Sequence, residues 1–165
     1  MRGLVQYVRQ FVDAPDALRA SLASPTLVWE SQSENEDQML LATGAMGSAK
    51  KPGAGEPVVF EVRKLDSPTN AFPMGITVGR TENNDLAIDD NSISRFHAFF
   101  KLGSDGLWQL TDAESKNGTS INAQALVANK ASPLHDGDRV RFGHVNTRFF
   151  LPEGFLGYLK TTIKK

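Results

Sequence analysis

The sequence predicts an all-β domain, built as a sandwich or a barrel and flanked by short helical segments. Short runs rich in β-branched and aromatic residues follow one another through the middle of the chain, and turn-forming residues separate them. No helical periodicity connects these runs, which is typical of sandwiches and barrels. The predicted strands are Val58–Leu65, Gly75–Val78, Asp85–Ile88, Phe96–Leu102, Leu107–Thr111, Thr119–Ile121, Gln124–Val127, Asp138–Phe142 and Thr147–Leu151. The core candidates among the phenylalanines are Phe96, Phe99, Phe100, Phe142, Phe149 and Phe150.

The N-terminal region has a different pattern, which predicts helices. Apolar residues Leu4, Val8 and Phe11 recur at helical spacing, so residues 3–12 are expected to form an amphipathic helix. Asp16 is a candidate N-cap for a second short helix. Neither this region nor the C-terminal end carries the basic polar face of a membrane anchor, so both are expected to pack on the body.

A stretch rich in Gly, Ala and Pro separates the N-terminal region from the β domain and is typical of a flexible linker. Before it, residues 27–29 and 39–41 are predicted to form a small hairpin. The predicted organisation is an N-terminal extension (1–42), a linker (43–57), the β domain (58–151) and a C-terminal helix (152–165).

Composition excludes several classes of function. The 165 residues include no cysteine, so no disulfide, thiol nucleophile or thiolate metal site is possible. Three histidines leave little material for a histidine metal site, and neither a metal nor a cofactor is predicted. The net charge of −1 argues against a nucleic-acid partner. No apolar run approaches the roughly 20 residues of a membrane span, and Arg9 interrupts the first run, so we expect a cytoplasmic protein without a membrane partner.

Polar residues suited to an anion recur in short loop motifs between residues 79 and 122. Loops at one end of a sandwich meet, and binding sites are commonly built there. Arg80 offers a fork of N–H donors, Ser94 a hydroxyl donor, and Asn117 an amide that both donates and accepts. Such a set suits a dianionic phosphate on a protein side chain. The motifs are Gly79-Arg80, Asn84-Asp85-Leu86, Ser94-Arg95-Phe96-His97, Asn117-Gly118-Thr119 and Asn122.

This ordered set resembles the forkhead-associated (FHA) domain, over roughly residues 58–151. The resemblance implies a two-sheet FHA/SMAD-like β-sandwich with a short N-terminal helical extension and a C-terminal helix. It also implies a non-catalytic module that binds phosphothreonine peptides. The expected partner is a phosphothreonine-containing protein, in a pathway that includes a Ser/Thr kinase.

The resemblance also implies a role for each motif residue. Arg80 and Ser94 would hold the phosphate, and Asn117 would hydrogen-bond the peptide main chain. His97 would brace the loop that presents Ser94. The remaining residues assigned to the peptide site are Arg95 and Lys116, and those assigned to loop structure are Gly79, Gly118, Thr119 and Asn122.

The sequence departs from the family pattern at three positions. Lys116 stands where the family often has a Thr or Ser that assists the phosphate, and lysine would supply a point charge instead. Ala123 stands where a Gly usually follows Asn122, which is expected to alter the next turn. Ser92 occupies a place where some relatives have a long basic residue that reads an acidic side chain three positions after the phosphothreonine, so that preference is not indicated here.

The sequence also leaves alternative functions open. The main alternative is a phosphate-independent β-sandwich scaffold, and a further hypothesis makes residues 1–57 a regulatory arm that carries a docking threonine, Thr26 or Thr43. A hydrolase dyad of Ser94 and His97 is not favoured, because Ser94 lies before a strand and no Gly-x-Ser-x-Gly elbow is present. We therefore predict that the protein is not an enzyme.

Overall fold

The computed structural model describes residues 1–30, 56–70 and 72–164, and within these ranges it consists of two β-sheets and three helices. The elements are β1 (Arg2–Gly3), α1 (Leu4–Asp13), α2 (Pro15–Ser21), β2 (Thr26–Trp29), β3 (Val58–Glu61), β4 (Ile76–Gly79), β5 (Leu86–Ala87), β6 (Ala98–Leu102), β7 (Trp108–Asp112), β8 (Thr119–Ile121), β9 (Gln124–Ala125), β10 (Ser132–Leu134), β11 (Arg139–Phe142), β12 (Val145–Phe150) and α3 (Pro152–Ile163).

The strands form two sheets, and the helices form a third layer. The seven-stranded sheet has the order β1-β3-β2-β12-β11-β8-β9, and the five-stranded sheet has the order β10-β7-β6-β4-β5. All pairings are antiparallel except β4 with β5. The two-sheet sandwich with flanking helices that the sequence predicts is therefore confirmed.

The seven-stranded sheet is buried on both faces where the helices cover it. Alternate residues of a strand point to opposite faces. Accordingly, Leu27 and Phe149 lie in the core between the sheets, whereas their neighbours Val28 and Phe150 lie in a second core beneath the helices. This second core also contains Phe155 of α3. Because both faces are buried here, apolar residues follow one another directly, as in Leu27-Val28 and Phe149-Phe150.

The strand Thr26–Trp29 corrects the predicted N-terminal hairpin. It pairs along its whole length with β3 on one edge and with β12 on the other. Both edges are thus occupied by segments other than residues 39–41, which lie outside the described residues, as do residues 43–55 of the predicted linker. The region before residue 58 therefore supplies an internal strand of the sandwich as well as α1 and α2.

Two predictions for single N-terminal residues are also corrected. Thr26 is fully buried in β2, so it cannot serve as an accessible docking threonine, and Thr43 lies outside the described residues. Asp16 lies in the first turn of α2, after Pro15, and does not cap the helix. Proline is favourable at the first helical position because its missing N–H has no helical acceptor there.

The phenylalanine core is confirmed at Phe100, Phe142, Phe149 and Phe150, which are buried, but not at the other two positions. The side chain of Phe96 is 39% exposed and that of Phe99 is half-buried. Both rings pack with Phe72, at centroid distances of 5.3 and 5.1 Å. Phe99 cannot point inward because its neighbours Ala98 and Phe100 occupy the core face of β6.

Candidate functional site

Three loops of the sandwich meet at one end and carry most of the residues predicted to bind a phosphopeptide. They connect β4 to β5, β5 to β6, and β7 to β8. The backbone N–H of Arg80 donates to the Ser94 carbonyl at 3.0 Å, and the N–H of Lys116 donates to the Ser94 Oγ at 3.0 Å. The Asn117 amide donates to the Ser92 carbonyl at 2.8 Å. Arg80, Ser94 and Asn117 therefore lie next to one another.

The side chains of this site are accessible to a ligand. Arg95, Lys116 and Asn117 are exposed, and Arg80 and Ser94 are partly exposed. Within the described parts of the chain, the charged groups of Arg80, Arg95 and Lys116 make no hydrogen bond or ion pair. Three cations are thus concentrated at one end of a protein whose net charge is −1.

The Ser94 hydroxyl is oriented by the contact it receives from the backbone. Its oxygen accepts the Lys116 N–H, so its own hydrogen is left to donate elsewhere. The Asn117 carboxamide is fixed in the same way through one N–H, while its oxygen has no partner among the described residues. The loops thus present one hydroxyl donor and one amide acceptor in set directions.

His97 connects two of these loops from below. It is fully buried, its Nδ1 accepts the Ser94 N–H at 3.0 Å, and its Nε2 lies 3.0 Å from the Gly118 carbonyl oxygen. Because Nδ1 accepts, Nε2 carries the proton and donates to that carbonyl. Burial lowers the pKa of His97, and the opposing effects of the Gly118 hydrogen bond and of Asp112 are smaller. The buried ring therefore links the backbone of Ser94 to that of Gly118.

Buried polar residues hold the remaining loop backbone. The Asn84 side chain donates to the carbonyls of Arg95 and Thr81, at 2.7 and 2.9 Å. Asp112 accepts from the side chains of Ser115 and Thr119. Burial raises the pKa of Asp112, but these hydrogen bonds outweigh it and leave the pKa below the ordinary value.

Asp85 is a second buried carboxylate, and it anchors the strand that leads to Arg80. It accepts from the backbone and hydroxyl of Thr77, from the Leu65 N–H, and from the Lys64 ammonium at 3.0 Å. Burial raises its pKa, but these hydrogen bonds outweigh burial, so the pKa lies below the ordinary value. The motif Asn84-Asp85-Leu86 places Asp85 next to the loop residues but does not predict this anchoring contact.

The two motif glycines are required for different reasons. A Cβ at Gly79 would overlap the carbonyl oxygen of Arg95 and the Asn84 side chain, so no larger residue fits there. Gly118 has open space around its Cα but a φ of +80°, a backbone conformation that side chains disfavour. Gly79 therefore permits the close approach of two loops, and Gly118 permits a left-handed backbone conformation.

Asn122 lies away from the other motif residues, at the far end of β8. Its backbone N–H and its side-chain oxygen both bond Arg139, and its side-chain amide donates to Asp138 at 2.8 Å. Asn122 and Ala123 form a two-residue loop between β8 and β9, with φ values of +49° and +67°. Ala123 thus adopts a left-handed conformation that favours glycine, and nothing in the structure shows the altered turn that was expected from this replacement.

Ser92 serves as a support in this structure. Its Oγ donates to Asp90 at 2.7 Å and accepts the His144 N–H at 2.9 Å, and its carbonyl accepts from Asn117. Through its side chain and its carbonyl together, Ser92 therefore connects its own loop to the 143–144 turn and to the loop that carries Asn117. Sequence reasoning treated this position only as a missing basic residue, and no signal within the sequence indicated its bond to the 143–144 turn.

Comparison with known proteins agrees with the fold. The FHA domain family model matches residues 76–143. The oxoglutarate dehydrogenase inhibitor of Corynebacterium diphtheriae is 33% identical over 110 residues, which are 62% of this chain and 70% of that protein. The glycogen accumulation regulator GarA of Mycolicibacterium smegmatis is 35% identical over 79 residues, or 48% of this chain and 44% of that protein.

A solved structure from a study of phosphothreonine-dependent FHA domain interactions shares the fold. It covers 77% of this chain and 95% of that chain, with 20% identity and a TM-score of 0.50. The fold and the site define a β-sandwich module with a cationic loop end. The chain belongs to the FHA domain family. It spans 70% of the corynebacterial relative and less than half of GarA.

No helix in the described ranges is long and apolar enough to cross a membrane. The same part of the chain has no group of three or more His, Asp or Glu residues that could hold a metal ion.

Proposed function

We propose that this FHA domain binds phosphothreonine peptides and thereby docks partner proteins after a Ser/Thr kinase has acted. One observation carries the proposal: Arg80, Ser94 and Asn117 come from three loops that are hydrogen-bonded to one another, and their functional groups remain available. The two relatives described above are named as an inhibitor and a regulator, which supports a binding role in regulation. We propose that the protein performs this role in the cytoplasm.

The charge of the site suits a phosphorylated side chain. A phosphothreonine carries roughly −1.5 to −2 charges and three acceptor oxygens at neutral pH. Arg80 would bind two of these oxygens with its fork of N–H groups, and the Ser94 hydroxyl would bind one. Lys116 and Arg95 would add positive charge around them. Each charge-assisted hydrogen bond contributes about 1.5–3 kcal/mol, so three such bonds could support micromolar binding, for which about 8 kcal/mol is required.

Asn117 would contact the peptide main chain. Its carboxamide oxygen faces no partner among the described residues, and a backbone N–H of an extended peptide is a suitable donor for it. Because its amide nitrogen is held by the Ser92 carbonyl, the side chain loses little rotational freedom on binding. This arrangement favours a peptide ligand over a free phosphate ion.

The contacts of His97 argue against a hydrolase. A serine nucleophile requires a base within hydrogen-bond reach of its hydroxyl. His97 accepts from the backbone N–H of Ser94 and donates to the Gly118 carbonyl, so both ring nitrogens are used. Its ring is also fully buried. We therefore propose a binding module without catalytic activity.

The direct test measures the affinity for matched peptides by fluorescence anisotropy. Wild-type protein should bind a phosphothreonine peptide and show no measurable affinity for its unphosphorylated form. Arg80→Ala should weaken binding by about a hundredfold, because it removes two charge-assisted hydrogen bonds. Ser94→Ala should weaken it by about tenfold or more.

Arg19→Ala is the matched control for the loss of one positive charge. Arg19 lies in the helical layer and forms an exposed ion pair with Glu153, so its removal should leave peptide affinity unchanged. Circular dichroism would verify that each variant is folded. Equal affinity of the wild type for both peptide forms would reject the proposal and favour a phosphate-independent scaffold.

A further inference from the structure

Three arginines lie together on the outer face of the seven-stranded sheet, and Arg148 borders the helical layer, where it lies over the Phe150 ring. Arg139 of β11 is directly opposite Arg148 of β12, and Arg141 follows two residues along β11. Val140 and Phe142, which alternate with the two arginines along β11, are in the core between the sheets. All three arginines therefore point away from that core. We call Arg139, Arg141 and Arg148 the arginine face.

The positive charge of this face is not neutralised within the described residues. Arg139 and Arg141 are exposed, and their guanidinium groups have no hydrogen-bond or ion-pair partner there. Arg148 donates through Nε to the Gly137 carbonyl at 3.3 Å and lies over the Phe150 ring, which leaves its terminal N–H groups available.

Two acidic residues, Asp138 immediately before β11 and Glu30 immediately after β2, hydrogen-bond to groups other than the three arginines. Asp138 accepts from the Asn122 side chain at 2.8 Å and from the His135 N–H at 2.8 Å. Glu30 accepts from the Tyr158 hydroxyl at 3.3 Å. Like charges directly opposite each other on a sheet are destabilising, so the Arg139–Arg148 pair is unfavourable unless an anion lies over it. The face therefore favours a negatively charged occupant.

The arginine face is continuous with the peptide site. From Arg141, β11 runs into the turn at residues 143–144. There the Gly143 N–H donates to the Gly118 carbonyl at 2.9 Å, and the His144 N–H donates to the Ser92 Oγ at 2.9 Å. At about 3.4 Å per residue, Arg141 begins roughly 7 Å from this turn and Arg139 roughly 14 Å from it.

We propose that the arginine face binds an acidic stretch of the same phosphorylated partner, beside the phosphothreonine. This inference rests on the proposed function. Arg139 and Arg141 are separated by two residues of one strand, about 7 Å, which is also the spacing of alternate side chains in an extended peptide. The occupant is therefore an extended segment with Asp or Glu at every second position, beginning several residues from the phosphothreonine. Guanidinium groups bind such carboxylates through paired hydrogen bonds.

The test compares four peptides by fluorescence anisotropy. The first is a phosphothreonine peptide with Asp at every second position, starting at the fourth residue on each side of the phosphothreonine. Carboxylates can then reach the arginine face whichever direction the bound peptide runs. A second has Asn at those positions, and each also has an unphosphorylated form. At about 50 mM salt we expect the acidic phosphopeptide to bind wild-type protein about tenfold more tightly than the neutral one, since each exposed charge pair contributes modestly. This advantage should shrink at high salt because the charges are exposed.

Arg139→Gln with Arg141→Gln should reduce the tenfold advantage to less than about twofold, while affinity for the neutral phosphopeptide stays the same. Lys101→Gln is the matched control, because it removes an exposed charge from β6 of the other sheet and should preserve the advantage. The salt dependence of wild-type binding tests the inference without any substitution.

Several outcomes would overturn the inference. Wild-type protein that binds both phosphopeptides equally would refute the arginine face alone, whereas binding to neither phosphopeptide would refute the proposed function and this inference with it. A wild-type dimer that the double variant dissociates would assign the face to a second copy. If replacing Glu34, Glu36 and Asp37 with amides created the acidic-peptide preference, the face would belong to a segment of this chain.

Discussion

The loop end of the sandwich and the helical layer on its seven-stranded sheet are stabilised in different ways. At the loop end, buried polar groups such as His97 and Asp112 hold the backbone through hydrogen bonds. In the helical layer, apolar side chains such as Tyr7 and Phe155 pack edge to face, with ring centroids 5.3 Å apart. The difference shows that a binding end can be made rigid from below while its own charged side chains stay unpaired.

The largest expected effect is at the loop end, on replacement of His97. His97→Ala should lower the free energy of unfolding by about 3–5 kcal/mol, because it removes a buried ring and leaves the Ser94 N–H and Gly118 carbonyl without partners. Urea unfolding would measure this change. Phosphopeptide affinity should fall as well, since Ser94 loses its support.

The exposed His135 provides the matched control for His97. Its side chain is 68% exposed and its contact with Asp138 is 3.7 Å, so His135→Ala should change the free energy of unfolding by less than about 0.5 kcal/mol. If His97→Ala cost no more than His135→Ala, the bracing role of His97 would be wrong.

Substitutions in the helical layer should lower the stability of the protein but leave its phosphopeptide affinity unchanged. Leu159 is fully buried on the inner side of α3, so Leu159→Ala should lower the free energy of unfolding by about 2–5 kcal/mol. Phosphopeptide affinity, measured where the variant is folded, should equal that of the wild type. Ile163→Ala, at a position 44% exposed on the same helix, should cost much less. A large loss of affinity in Leu159→Ala would instead indicate that the two regions are coupled.

The sequence predicts the loop end better than the helical layer, for a physical reason. Motifs such as Ser94 to His97 are local, and their role depends on residue type at fixed spacing. The position of β2 depends on pairing with β3 and β12, which are distant in the chain, and on burial of both its faces. Without alternation of apolar and polar residues, its sequence indicates a strand but not its neighbours.

Contacts between distant residues and position in the sheet also explain the other places where the structure differs from the sequence-based prediction. The strand β10 contains Pro133, which reads as a turn in the sequence but is tolerated because β10 is an edge strand. Phe96 is apolar in the sequence yet 39% exposed, because it precedes β6 and packs on Phe72 outside the core. The bond between Ser92 and His144 spans 52 residues, which no local pattern could predict.

Acidification should lower the stability of the protein through His97, which belongs to the loop end. Its pKa in the folded protein is lowered by burial, whereas in the unfolded chain it should be near 6.5. The unfolded state therefore binds the proton first, and stability should decline as the pH falls below about 6.5, by at most about 1.4 kcal/mol per pH unit. Urea unfolding between pH 7.5 and about 5 would measure the slope.

Two variants would show whether His97 causes this dependence of stability on pH. Leu159→Ala, which keeps His97, should retain this slope, whereas His97→Gln should lose it. Asp85 and Asp112 have lowered pKa values, so their contributions are present at neutral pH and are lost only as the pH falls below about 4. A slope that persists in His97→Gln would contradict this assignment.

The smallest expected effect is a gain in stability at the turn between β8 and β9, away from both regions. Ala123 has a φ of +67°, which is unfavourable for a residue with a Cβ and acceptable for glycine. Ala123→Gly should therefore raise the free energy of unfolding by about 0.5–1 kcal/mol, after allowance for the greater freedom of glycine in the unfolded chain. Ala125→Gly, in the adjoining strand β9 where φ is not positive, should lower it instead. Because the turn lies at the opposite end of β8 from Asn117, phosphopeptide affinity should be the same in both variants, and a change in affinity would show that the loop end depends on this distant turn.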